Sequence, residues 1–192
     1  VGAYGSGFAA YTVRAPGLVD GKGMALSVAD LREHLSTGGA RVLQARLFDA
    51  EPLARLSGRR SLQTLRVVTY RDDAGDIHRL FYMIKLLSGT NLSDNFSGGQ
   101  NGNLIAIGNP EQGVLRHAVT GRRDAVGLQR LTEHPDTGEA ITGFTIPHWG
   151  AACELAVAAH RTLPGLRALG WDLALTDDGP RLLEGNVRFD PP

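Results

Sequence analysis

The chain has 192 residues, of which 42% are hydrophobic, and this suits one domain or one fold of two lobes with a sizeable core. Its twenty basic and twenty acidic residues cancel, so the sequence carries neither the electrostatic footprint of a nucleic-acid-binding protein nor a polybasic membrane patch. We therefore expect neither nucleic acid nor membrane insertion among its partners.

Cysteine usage bears on the compartment. The single cysteine, Cys153, cannot form an internal disulfide and lies in the apolar run AACELAVAAH, which favours a buried structural thiol. No apolar stretch reaches the length of a membrane span. We expect a reducing compartment, the cytoplasm.

The chain begins at Val1 without an initiator Met and enters at once the glycine-rich segment GAYGSGF. A loop of this kind normally follows a strand, so we expect a part of the protein to precede it. Gly5, Ser6 and Gly7 would let backbone N–H groups approach phosphate oxygens. An ordinary surface turn is the alternative.

The remaining pattern predicts an α+β protein in two parts. Residues 1–45 read as the smaller lobe, with the strand AAYTV, a connection containing Pro and Gly, and a helix over about residues 28–35, before the strand VLQARL. Residues 46–192 read as the larger lobe. Its predicted elements are the antiparallel pair TLRVVTY and HRLFYMIKLL, a long polar loop, a helix over about residues 150–163, and a terminal hairpin.

Two basic residues lie inside predicted strands. Arg66 stands between Leu65 and Val67, and Lys85 is likewise flanked by apolar residues. Side chains alternate along a strand, so each cation points away from its apolar neighbours, either into a cleft or into solvent.

The terminal hairpin places three oxygen-bearing side chains together. A three-residue loop from Asp177 to Gly179 would set Thr176 opposite Pro180 and Asp172 opposite Glu184. Glu184 and Asn186 then share the face of Asp172, with Trp171, Leu173 and Leu183 on the other face. Mg²⁺ prefers hard oxygen ligands of this type, while a solvated hairpin face is the alternative.

Six segments in order resemble the ATP-grasp fold, most closely the sugar-transfer-associated ATP-grasp family, which is related to the alpha-L-glutamate ligases. They are VLQARL, SLQTLRVVTY, FYMIKLLSG, DNFSGG, HPDTG, and IPHWG leading to LPGLRALGWDLALTDDGPRLLEGN. The resemblance implies two α+β lobes with largely antiparallel sheets and ATP bound between them. It also implies a missing N-terminal part that carries a substrate domain and a phosphate-binding Lys.

The resemblance further implies roles for particular residues. The loop at Gly5–Gly7 would cover the ATP phosphates, and Asp172, Glu184 and Asn186 fall on the metal positions. Arg66, Lys85 and Asn95 would act at the reacting centre, where Asn95 would contact phosphate or acceptor. For the segment that contains Asn95, a mobile surface loop is the alternative. The adenine would be held by the strand joining the lobes, at Gln44, Ala45, Arg46 and Leu47.

The implied activity is that of a ligase that uses ATP and Mg²⁺ to convert a carboxylate into an acylphosphate, which an amine or similar nucleophile then attacks. The acceptor would be a small-molecule or sugar-linked carboxylate, and the fragment alone need not be active. A non-catalytic nucleotide-binding or scaffold module remains an alternative. A carbohydrate-binding module is disfavoured, because aromatic residues for a stacking platform make up only 6% of the chain.

Overall fold

The computed structural model of the chain describes residues 11–14, 17–20, 23–37, 44–122 and 124–189. The chain divides into two compact units, Val1–Arg46 and Leu47–Pro192. Across the described ranges, no helix is long and apolar enough to cross a membrane.

The smaller unit contains a three-stranded antiparallel sheet in the order β1-β2-β3, formed by Tyr11–Arg14, Gly17–Asp20 and Ala25–Leu26. Helix α1 follows at Val28–Ser36, as the sequence predicted. It begins with a capping box in which Ser27 and Asp30 satisfy each other's backbone N–H groups. The predicted connection before this helix was wrong, because it contains β2 and β3.

The larger unit is built on a seven-stranded antiparallel sheet in the order β10-β9-β4-β5-β6-β7-β8. Two helices accompany it, α2 at Glu51–Ser57 and α3 at Trp149–Arg161. The strands are β4 Thr64–Arg71, β5 Ile77–Leu86, β6 Leu104–Asn109, β7 Val114–Gly121, β8 Leu128–Leu131, β9 Ala168–Thr176 and β10 Gly179–Asn186.

The hydrophobic core lies on one face of this sheet. Alternation along β4 sends Leu65 and Val67 into the core, and register places Leu173 and Trp171 beside them on β9. Leu53 and Leu56 of α2 and Ala152 and Ala156 of α3 belong to the same buried cluster. The intervening residues of the strands therefore project from the opposite face.

Three further expectations were wrong. The predicted long polar loop contains β6, β7 and β8, whose glycines, short lengths and β-bulge between Ile107 and Gly108 obscured the alternation. Helix α2 was missed because it has only seven residues and a proline in its first turn. Gln44–Leu47, the described part of the predicted strand VLQARL, is not a strand.

The terminal hairpin differs from the prediction at its turn and agrees with it at the candidate metal ligands. Gly179, and not Pro180, lies opposite Thr176, so the turn is one residue shorter than expected. A β-bulge between Leu182 and Glu184 then adds the missing residue. The predicted pairing of Asp172 with Glu184 is confirmed as a result. The predicted register put Leu183 opposite Leu173. In the structure Leu183 falls in the bulge, and Leu182 lies opposite Leu173.

Candidate active site

Charged and polar residues line the face of the large sheet that points away from the core. Asp172 on β9 pairs with Arg66 on β4 and with Glu184 on β10, so the three side chains project from the same face. Arg66 also pairs with Met83 on β5, and Lys85 follows Met83 by two residues on the same face. The register thus brings two cations and two carboxylates from four strands to one surface.

Asp172 joins the two cations. Its Oδ1 accepts a hydrogen bond from Arg66 Nε at 2.6 Å and its Oδ2 one from Arg66 Nη2 at 2.7 Å, a bidentate pair. Oδ2 also accepts from Lys85 Nζ at 3.1 Å. The side chains of Asp172, Lys85 and Arg66 are only 6%, 12% and 14% exposed. We call these three residues the ion triad.

The electrostatics of the triad favour a charged carboxylate. Burial alone would raise the pKa of Asp172, but the hydrogen bonds from Arg66 and the positive charges of Lys85 and Arg66 outweigh it, so the pKa lies below its ordinary value. Asp172 is therefore ionised at neutral pH and holds both cations in place.

Core packing fixes the strand positions beneath the triad. Trp171, next to Asp172 but on the core face, donates from Nε1 to Thr69 Oγ1 at 2.9 Å. Thr69 Oγ1 lies 2.7 Å from Nδ1 of the buried His160, whose Nε2 lies 3.0 Å from the carbonyl oxygen of Leu166. A carbonyl only accepts, so Nε2 carries the proton and Nδ1 accepts from the threonine hydroxyl. This chain of hydrogen bonds ties β4, β9 and α3 together.

Glu184 and Asn186 continue the polar face onto the edge strand β10. Asn186 Nδ2 donates to Glu184 Oε1 at 3.1 Å, which turns the two side chains toward each other. No group of three or more His, Cys, Asp or Glu within the described ranges could hold a metal ion. The oxygen donors present nonetheless suit Mg²⁺, because Glu184 is exposed and Asp172 Oδ1 accepts only one hydrogen bond from the residues that the structure describes.

The segment from Ser88 to Asn103 is held against the strand that carries Arg66. The carboxylate of Asp94 accepts hydrogen bonds from the backbone N–H and the hydroxyl of Thr64, at the start of β4. The N–H contact measures 2.8 Å. Asp94 therefore anchors the loop that contains Asn95 to Thr64, which lies two residues before Arg66 on β4.

Asn103, fully buried, organises the same loop from within. Its Oδ1 accepts from Ser88 N and Asn91 Nδ2, at 3.1 and 2.8 Å. Its Nδ2 donates to the carbonyl oxygens of Ser93 and Asn95, at 2.7 and 2.8 Å. All the hydrogen-bonding capacity of this side-chain amide is thus used inside the loop. The side-chain amide of Asn95, which is half-buried, has no hydrogen-bond partner in the described part of the chain.

The anchoring roles of Asp94, Thr64 and Asn103 were not predicted from the sequence. Asp94 and Thr64 lie 30 residues apart, and only the fold brings them together. The run of asparagines in TNLSDNFSGGQNGN was the available signal, since Asn side chains commonly bond to nearby backbone groups.

The remaining candidate residues belong to other segments of the chain. Gly5, Ser6 and Gly7 fall outside the described residues. Gln44, Ala45 and Arg46 are exposed at the end of the smaller unit, and the half-buried Leu47 begins the larger one.

The largely antiparallel α+β fold, with its polar sheet face, is that of an ATP-grasp protein. More particularly, residues 28–191 match the sugar-transfer-associated ATP-grasp family, and the chain belongs to that family. No curated protein and no solved structure matches the chain. ATP-grasp proteins are generally ATP-dependent enzymes of the ligase type that bind ATP with Mg²⁺, so the family confirms the resemblance seen in the sequence and the class of activity that it implies.

Proposed function

We propose that the protein is an ATP- and Mg²⁺-dependent ligase that activates a carboxylate as an acylphosphate for attack by an amine or similar nucleophile. Its setting would be sugar transfer or polysaccharide assembly, in keeping with the family's description. The observation that carries the proposal is the ion triad. One buried carboxylate fixes Arg66 and Lys85 side by side, on the same sheet face as Glu184.

The reaction would proceed in two steps. A carboxylate oxygen of the acceptor attacks the γ-phosphorus of ATP, the bond from that phosphorus to the bridging oxygen breaks, and ADP leaves with the electron pair. The nucleophile's nitrogen then attacks the acyl carbon, phosphate departs, and the nitrogen loses a proton. Both steps concentrate negative charge on phosphoryl oxygens, and fixed cations stabilise such charge.

The residues of the sheet face have distinct tasks in this scheme. Arg66 offers a planar fork and Lys85 a point charge to the transferring phosphoryl group. Asp172 orients both cations, and the unpartnered amide of Asn95 is suited to bind an oxygen of phosphate or acceptor. Glu184, Asn186 and Asp172 would hold Mg²⁺, which neutralises charge on the phosphates when bound.

The nucleotide contacts outside this face are proposed from the family resemblance. The glycine loop would lie over the phosphates, and the segment joining the two units would contact adenine. The residues concerned are Gly5, Ser6, Gly7, Gln44, Ala45, Arg46 and Leu47.

Trapping with hydroxylamine tests the proposal directly. The intact protein is incubated with ATP, Mg²⁺, hydroxylamine and a set of sugar and amino-acid carboxylates, and hydroxamate and phosphate are measured. We expect both products to form in equal amounts with the true acceptor, because hydroxylamine intercepts an acylphosphate. ATP binding without either product, across the whole set, would favour the non-catalytic nucleotide-binding module instead.

A further inference from the structure

A second basic surface lies on the same sheet face as the ion triad, three strands further along the sheet. Lys85 on β5 pairs with Ile105 on β6, Ile105 with Val119 on β7, and Val119 with Arg130 on β8. Paired residues share a face, so the side chains of Lys85 and Arg130 project in the same direction. With neighbouring strands about 4.8 Å apart, the two positions are about 14 Å from each other.

This surface combines positive charge with apolar area. His117 lies two residues before Val119 on the same strand face, and Leu128 two residues before Arg130. Leu128 is 52% exposed, although it is a large apolar residue. Arg116 occupies the β-bulge between β6 and β7, next to His117. We call Arg116, His117, Val119, Leu128 and Arg130 the distal basic surface.

The cations of this surface have no acidic partner among the described residues. Neither Arg116 nor Arg130 forms an ion pair within the described part of the chain, whereas Arg79 and Arg122 nearby pair with Glu111 and Asp124. Burial lowers the pKa of His117, and the positive charges of Arg130 and Arg116 lower it further, so both guanidinium groups act on this ring. The register also makes His117 and Arg130 diagonal neighbours on paired strands, and Arg116 adjoins His117 in the bulge, so the three basic residues lie close together.

His117 lies at the edge of this surface. Its Nδ1 is buried and has no hydrogen-bond partner among the residues described. An anion held by Arg116 and Arg130 would therefore lie next to this ring without contacting Nδ1, which is closed to solvent. The ring is a reporter of anion binding at the two arginines.

We propose that the distal basic surface binds an anionic group of the acceptor, a carboxylate or a phosphate, about 14 Å from the reacting end. Leu128 and Val119 contact the apolar part of the molecule next to that anion. The acceptor is accordingly an extended molecule with two acidic positions, one that reacts near the ion triad and one that binds here. That the ligand is the acceptor rests on the proposed function, whereas the anion site itself does not.

Anion binding is measured first, without ATP or Mg²⁺. The intact protein with ¹³C-labelled histidine is titrated with glucuronate, with glucose 6-phosphate and with glucose, and the ring signal assigned to His117 is followed by NMR. We expect saturable shifts with one or both anions and none with the neutral sugar. The anion that binds more tightly identifies carboxylate or phosphate as the group recognised.

Arginine variants test the location. Arg130→Gln and Arg116→Gln should each weaken anion binding about tenfold, since a charge-assisted hydrogen bond is lost. The control is Arg161→Gln, an exposed arginine at the end of α3, which packs on the other face of the sheet. Absence of saturation with both anions, equal affinity in Arg130→Gln, or equal weakening in the control would each overturn the proposal.

Kinetics with the acceptor found by hydroxylamine trapping separate this inference from the proposed function. Arg130→Gln should raise the acceptor KM about tenfold and affect kcat much less. Hydroxamate formation with the parent KM in Arg130→Gln would reject the distal surface and leave the ligase proposal intact. Anion binding without hydroxamate formation would support the anion site and reject its assignment to an acceptor.

Discussion

Asp172 is the residue on which the candidate active site depends most. Its position on the polar face could be predicted, because alternation along GWDLALT sends Trp171 and Leu173 to the core. Its partners could not be predicted in the same way. Arg66 lies 106 residues away in sequence, and only the pairing of β4 with β9 brings the two together.

Arg66 should affect both activity and stability. Arg66→Ala leaves the buried Asp172 with Lys85 alone, so we expect a loss of about 3 kcal/mol in the free energy of unfolding. Arg66→Lys keeps the charge without the fork and should lose less stability, but turnover should fall at least about a hundredfold in both variants. Arg167→Lys, in an exposed ion pair with Asp73, serves as control. Parent turnover in Arg66→Lys would contradict the assigned role.

Glu184 should matter for turnover and not for the fold. Its side chain is exposed and its only hydrogen bond in the described structure is from Asn186, so Glu184→Gln should leave the metal-free free energy of unfolding within about 0.5 kcal/mol of the parent. Mg²⁺-dependent ATP turnover should fall at least about a hundredfold, because an amide is a weaker Mg²⁺ ligand than a carboxylate. Glu139→Gln, also exposed, is the matched control for denaturation and rate measurements. Unchanged turnover at ordinary Mg²⁺ would reject the metal site.

Asp49 should make stability depend on pH. Burial raises its pKa from the ordinary 3.8 to about 7, despite hydrogen bonds from Gln63 that favour the charged form. Between these two values the folded state holds a proton that the unfolded state has released. The free energy of unfolding therefore decreases as pH rises through this window, by at most about 1.4 kcal/mol per pH unit.

Asp49→Asn removes the carboxyl group that titrates. The difference in free energy of unfolding between parent and variant should therefore change between pH 3.8 and about 7, and level off above about pH 7. Urea denaturation at several pH values measures this difference. Asp178→Asn, in the exposed turn, provides the comparison. A difference between parent and Asp49→Asn that stays constant from pH 4 to 7 would show that Asp49 does not titrate in this way.

At the scale of elements, the loop from Ser88 to Asn103 should be ordered by Asn103. Asn103→Asp replaces a donor with a charged acceptor that faces the carbonyl oxygens of Ser93 and Asn95. We expect a loss of about 2 to 4 kcal/mol in stability and faster hydrogen exchange across the loop. Asn109→Ala, at the end of β6, should change exchange only near its own position. Parent exchange rates in Asn103→Asp would contradict the ordering role.

Elements differed in how far the sequence could predict them. The strong alternation of β4 and β5 and the apolar stripe of α3 were sufficient, and these elements agree with prediction to within a residue or two. Strand β9 was also predicted, but it begins three residues earlier than the alternation of WDLAL indicated. Strand β7 was missed because Arg116, in its bulge, breaks the alternation. Strand β8 was missed because it is short and its exposed residues show no apolar face. The distal basic surface, which lies on these two strands, was therefore not visible in the sequence.

At the scale of the molecule, the buried hydrophobic cluster of the described residues lies in the larger unit. The buried cluster runs from Leu53 to Leu175, and α1 of the smaller unit has no buried residue. We expect residues 47–192 expressed alone to unfold cooperatively in urea, with coincident transitions by tryptophan fluorescence and far-UV circular dichroism. Broad or separated transitions would show that the larger unit requires residues 1–46 to fold.

The β-bulge between Leu182 and Glu184 separates the length of the hairpin turn from the choice of sheet face on which Glu184 lies. Without it, adding or removing one residue at the turn would move Glu184 to the opposite face of the sheet. With it, a change in turn length can be compensated within the strand, and Asp172 still faces Glu184. During divergence of such chains, the length of the turn can thus change if the bulge changes with it, while the spacing between the bulge and Asn186 is the interval that selection must preserve.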